Sequence, residues 1–79
     1  MNYRVLYFAS LRDQAGREEE SVASQAADVA SFYEELRLRH GFALQRDKLR
    51  VAVNGEFSAW DHALSDGDEI VFIPPVSGG

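Results

Sequence analysis

The two most apolar runs of the sequence lie near its opposite ends. Tyr3-Arg4-Val5-Leu6-Tyr7-Phe8-Ala9 and Glu69-Ile70-Val71-Phe72-Ile73 are rich in β-branched and aromatic residues, which predicts strands. The first is apolar on both alternating faces, with Tyr3, Val5 and Tyr7 on one and Leu6 and Phe8 on the other. Strands apolar on two faces commonly sit centrally, and two of them from opposite ends of a chain commonly pair in parallel. Everything between them must then be wound onto one sheet.

The intervening sequence supplies the remaining pieces. Residues 10–17 read as a turn, with Gly16 able to supply a positive φ. Glu18 to Ala23 reads as a returning antiparallel strand, and Glu18-Glu19-Glu20 makes it a polar edge that discourages unwanted pairing. Asp28 to His40 is the one clear helix. Val29, Phe32, Tyr33 and Leu36 form its apolar stripe, Asp28 is placed to cap its start, and Gly41 stands where a left-handed stop is wanted. Arg37, Arg39 and His40 suit the negative end of the helix dipole. Phe42, Ala43 and Leu44 are expected to tuck the next loop against the core.

Leu49 to Val53 alternates as a strand and runs into Asn54-Gly55, a hairpin signal, with Glu56-Phe57-Ser58 as the return. Trp60 to Leu64 is a compact connection with room for one helical turn. Ser65-Asp66-Gly67-Asp68 is a turn by composition and delivers the last strand. The order β-β-α-β-β-β predicts an α+β fold of the β-grasp, ubiquitin-like type: a mixed sheet of about five strands around one main helix. One helix covers only one face of such a sheet. Either curvature and loops hide the second apolar face, or an exposed patch near the C-terminus marks a partner site.

With 79 residues the chain is read as one domain, residues 1–75, followed by a flexible Gly-Gly tail, residues 76–79. There is no cysteine, which excludes a disulfide framework and any chemistry by a side-chain thiol. The net charge is −5, and no Arg/Lys run with interleaved aromatics appears, so nucleic acid is not an expected partner. An acidic domain is expected to dock on a basic protein surface. No apolar run approaches a membrane span, and the opening residues lead directly into a strand, so no membrane, no signal peptide and a cytoplasmic location are expected.

Chemistry is scarce in the body of the chain. Asp66, Asp68 and Glu69 lack the ligand series of a calcium loop. His40 and His62 have no clustered partners for a metal. No serine has a nucleophile-elbow context, and no glycine pattern makes a phosphate loop. The ending Pro74-Pro75-Val76-Ser77-Gly78-Gly79 is different. Pro74 stops the ladder, Pro75 keeps the path extended, and the four residues that follow reach about 13–14 Å. A terminal glycine has no Cβ to obstruct entry into a narrow site. The Gly79 carboxylate is thus the expected reactive group, once activated as an acyl-adenylate.

Val5-Leu6-Tyr7-Phe8-Ala9 with Leu11-Arg12-Asp13 and Gly16, Val51-Ala52-Val53-Asn54-Gly55, Asp61-His62, Leu64 to Glu69 and Phe72 to Gly79 together carry a resemblance. The chain resembles the small subunits of molybdopterin synthases, a branch of the ubiquitin-like sulfur-carrier family. Asp13 departs from the Glu common there, an acid for an acid. The resemblance implies that a partner ATP-dependent, E1-like adenylating enzyme activates Gly79 and that a sulfur donor protein converts it to a thiocarboxylate. The tail then enters the large subunit of a heterotetramer and gives sulfur to cyclic pyranopterin monophosphate, in molybdenum cofactor biosynthesis.

Under that resemblance this chain is a non-catalytic, sulfur-carrying subunit. It binds no cofactor and no metal itself, and ATP is used by the adenylating partner. Gly79 also has the chemistry for an isopeptide link to a partner lysine. Gly78, Ser77, Val76, Pro75, Pro74, Ile73, Phe8 and Arg12 are the expected partner-binding residues. The alternatives are a related carrier serving thiamine synthesis, tRNA thiolation or protein modification, and a non-reactive interaction domain.

Overall fold

In the computed structural model, which describes residues 1–75, five strands form one mixed sheet in the order β2-β1-β5-β3-β4. The elements run β1 (Asn2–Tyr7), α1 (Ala9–Ala15), β2 (Glu19–Ala23), α2 (Val29–His40), a single 3-10 turn (Arg46–Lys48), β3 (Arg50–Val53), β4 (Glu56–Phe57) and β5 (Glu69–Ile73). As the apolar runs require, β1 and β5 are the central parallel pair, with Val5 opposite Ile70 and Tyr7 opposite Phe72. β3 joins β5 antiparallel, and the charged β2 takes one edge. The fold is the expected β-grasp.

Registered residues of neighbouring strands share a face. Val5, Ile70 and Val53 therefore form one inward row, and Tyr7, Phe72 and Val51 another, all buried. Helix α2 lies on these rows. Its stripe of Val29, Phe32, Tyr33 and Leu36 is fully buried, and Phe32 meets Tyr3 edge-on at 4.9 Å between ring centroids. The side chain of Asp28 accepts a hydrogen bond from the Ser31 amide at 2.8 Å, and Gly41 ends the helix at φ 71°. The Tyr3 and Tyr33 hydroxyls donate to the carbonyls of Ala26 and Leu44, so the core holds no orphaned side-chain polar atom among the described residues. Burial pushes the Tyr33 phenol up to about 12.

Two expectations are corrected. Residues 10–17 are not a plain turn: Ala9–Ala15 is a second, short helix, and β1 ends at Tyr7 rather than Ala9. In seven residues this helix fully buries only Leu11, too little for a readable 3.6-residue stripe. Gly16 does take the positive φ, 76°, as its C-terminal stop. Trp60 to Leu64 forms no helical turn. It is a tight bend with a His62-to-Ala59 hydrogen bond and a bridge from Ala63 to Asp28. Phe42 and Leu44 tuck inward as expected, while Ala43 is exposed.

The Asp66-Gly67-Asp68-Glu69 segment proves to be a structural staple. Asp68 accepts from the Ser65 amide and from Asn54 Nδ2, and these bonds hold its carboxyl below the usual carboxylate range. Asp66 accepts from the Asn2 amide, and Glu69 pairs with Arg4 at 3.4 Å. The carboxylates that hinted at calcium are therefore committed to joining the β3–β4 hairpin, the β5 entry and the chain start. No cluster that could hold a metal occurs among the described residues.

Candidate functional site

The second face of the sheet is the candidate binding surface. Leu6 stands opposite Val71, Val71 opposite Ala52, and Ala52 opposite Phe57, one row across four strands. No helix lies over it. Leu6, Val71 and Ala52 are half-buried, and Phe57 is 69% exposed. Solvent-facing apolar side chains in a continuous row are what a docking surface requires. Among the described residues the excess apolar surface of β1 and β5 is thus only partly covered.

Phe8 and Ile73 extend this face toward the chain's exit. Ile73 alternates with buried Phe72 and is half-buried, opposite Arg50 in register. Phe8 is 48% exposed, which excludes an ordinary core role. Its position follows from local backbone: Phe8 is extended, Ala9 takes φ 51°, and the Phe8 carbonyl accepts from the Leu11 amide to open α1. A left-handed alanine costs roughly 1–2 kcal/mol. That cost is borne where the chain must turn sharply while leaving Phe8 outside.

Two grooves flank the exit. Phe8 and Arg12 line one with Leu6, Tyr7, Glu18 and Glu19. Ile73, Pro74 and Pro75 line the other with Phe57, Leu49, Asp47, Lys48 and Arg50. Because β5 runs parallel to β1, the chain leaves the sheet at the end where Phe8 and Arg12 stand. The structure therefore brings Phe8, Arg12, Ile73, Pro74 and Pro75 to one end of one face. Val76, Ser77, Gly78 and Gly79 lie outside the described residues.

Sequence reasoning missed Phe57, Lys48 and Arg50. Phe57 sits in a two-residue edge strand between Glu56 and Ser58, where one aromatic gives no alternation to read. Its signal was the hairpin itself: a two-residue loop at Asn54-Gly55 fixes Phe57 opposite Ala52, on the outer face. Arg50 and its neighbour Lys48 meet Phe57 through the β3–β4 pairing and Ile73 through the β3–β5 pairing. No helix among the described residues is long and apolar enough to cross a membrane.

The model of the ThiS family matches residues 5–79. The molybdopterin synthase sulfur carrier subunit of Escherichia coli (strain K12) is 38% identical over 79 residues, covering 96% of this chain and 98% of that protein. Among solved structures, SAMP1 from Haloferax volcanii superposes with a TM-score of 0.82 at 30% identity, over 100% of both chains. The protein–protein complex of subunits 1 and 2 of the molybdopterin-converting factor from Helicobacter pylori 26695 contains a chain similar at TM-score 0.69 and 25% identity, again over 100% of both.

Proposed function

Since the chain belongs to the ThiS family, we propose that it is the sulfur-carrying subunit of a molybdopterin synthase, with Gly79 as the loaded residue. The observation that carries the reading is the near end-to-end similarity to the Escherichia coli carrier subunit, 38% identical over 96% of this chain, beside this chain's own Pro-Pro lead-in to its paired glycines. In this mechanism an ATP-dependent adenylating partner joins the Gly79 carboxylate to AMP and releases pyrophosphate. A sulfur donor protein then delivers sulfur at the sulfide level: a C–S bond to the acyl carbon forms as the acyl C–O bond to AMP breaks, AMP leaves, and Gly79 carries a thiocarboxylate. The large subunit receives the tail, and the thiocarboxylate sulfur passes to cyclic pyranopterin monophosphate.

What this chain contributes is positioning. The outer row from Leu6 to Phe57 and the exit residues Phe8, Ile73, Pro74 and Pro75 hold the body on the partner, with Arg12 as a charged contact. Val76, Ser77 and Gly78 thread the partner's pocket. The subunit 1–subunit 2 complex supports a two-subunit assembly. The heterotetramer in our reading has one carrier at each end of a large-subunit dimer. Catalytic acids and bases then belong to the large subunit.

The likeness to the small archaeal modifier protein 1 of Haloferax volcanii favours a second reading, that of a protein modifier, in which we take the activated glycine to be joined to lysines of other proteins. Mixing the thiocarboxylate form with large subunit and pterin precursor separates the two. Formation of molybdopterin supports the synthase reading. Lysine conjugates without molybdopterin replace it by the modifier reading.

A further inference from the structure

The cations of this acidic chain are unevenly engaged. Arg4 is held by Glu19 and Glu69, Arg17 by Glu20, Arg37 by Glu34 and Arg39 by Glu35. None of the ion pairs among the described residues uses Lys48 or Arg50. Both line the groove that Ile73, Pro74 and Pro75 share with Phe57, and both are exposed. Arg50 is directly opposite Ile73, and its guanidinium carbon lies 5.7 Å from the centre of the Phe57 ring. Among the described residues Asp47 is the one carboxylate in that lining.

We propose that Lys48 and Arg50 receive carboxylates from the protein surface that accepts the tail, and so select the partner at the tail's exit. This rests on the carrier reading, which requires a partner to close around Pro74 and Pro75. Charge complementarity names the occupant: two cations free of described ion pairs beside an apolar wall match the charged border and apolar centre of a protein interface. Cation–π attraction draws the Arg50 fork toward Phe57, and a guanidinium fork suits a carboxylate held in two-point contact. A phosphate site would add free backbone amides. Here the Lys48 and Leu49 amides already donate to Gln45 and Arg46 within the 3-10 turn.

The inference also refines what the net charge implied. A charge of −5 favours approach to a basic surface, whereas the rim beside the exit asks for acidic groups. Long-range attraction then brings the partners together, and Lys48 and Arg50 choose the register.

The test is the affinity of the large subunit from the same organism for the wild-type chain and for Lys48→Glu/Arg50→Glu, by calorimetry at about 50 and 300 mM salt. The expected result is a loss of about tenfold or more at low salt that shrinks at high salt, with an unchanged melting curve. Should charge reversal unfold the chain, Lys48→Gln/Arg50→Gln is read the same way. Wild-type affinity in the variant, or tighter binding, overturns the proposal. Amide shifts at Lys48 and Arg50 on adding millimolar inorganic phosphate to the free chain overturn the carboxylate assignment. Failure of the wild-type chain itself to bind the large subunit overturns the carrier reading instead.

Discussion

His40 Nε2 lies 2.6 Å from Glu20 Oε1, which ties the last turn of α2 to the edge strand β2. Tyr7 donates its hydroxyl to the same carboxylate oxygen at 2.5 Å, and Arg17 stands 3.7 Å from the other. Burial alone would raise the Glu20 carboxyl. The hydrogen bonds from Tyr7 and His40, with attraction to His40 and Arg17, outweigh it and hold the group below the usual range. A depressed carboxyl contributes stability that is present above its unfolded value, about 4.3, and lost as pH falls through the folded value. Unfolding by urea across pH 2–7 should therefore show an acid-side loss that flattens in Glu20→Gln. At pH 7 that variant should be less stable by about 1–3 kcal/mol, because the Tyr7 hydroxyl loses a charged acceptor.

The aromatic centre of the core sets the scale of stability. Phe32 packs on Tyr3 and lies 6.4 Å from Phe72 between ring centroids, so it joins α2 to both central strands. Phe32→Ala should cost about 3–5 kcal/mol, read as a lower urea midpoint with little change in slope.

The β3–β4 turn tests the backbone argument. Asn54 and Gly55 adopt φ 52° and 86°, the pair of left-handed residues that a two-residue hairpin needs. A Cβ at Gly55 meets no atom within 4 Å, so the cost of Gly55→Ala is conformational. A loss of about 1–2 kcal/mol is expected by thermal denaturation.

On the outer face the expectation reverses: stability is spared and binding is lost. Phe8→Ser and Phe57→Ser should each change folding stability by less than about 0.5 kcal/mol, since both side chains are exposed. Each should weaken binding to the large subunit by about 1–3 kcal/mol in calorimetry, as buried aromatic anchors do. Global unfolding of Phe8→Ser would reject its docking role.

Most of this architecture was legible because it rests on strong local signals. The Val29-Phe32-Tyr33-Leu36 stripe, the Asn54-Gly55 turn and the two apolar terminal runs each point to one structure, and their union points to one fold. Helix α1 was not legible, because Leu11 alone carries its buried face. The exit residues Phe8 and Ile73 were found from an excess of apolar surface, a count the sequence permits. Phe57, Lys48 and Arg50 were not, since their partnership exists only after β3 pairs with both β4 and β5. Likewise Asp68 was legible as part of a turn, but its bonds to Ser65 and Asn54, which make it a staple, were not.

The central claim concerns Gly79, and intact mass spectrometry tests it most directly. The chain is incubated with the adenylating partner, ATP and a sulfur donor, alongside a variant carrying one extra residue after Gly79. The account predicts a mass rise equal to one oxygen-for-sulfur exchange, localised to Gly79, in the wild-type chain and none in the extended variant. No exchange in the wild-type chain despite binding of the adenylating partner, or an equal exchange in the extended variant, would contradict it.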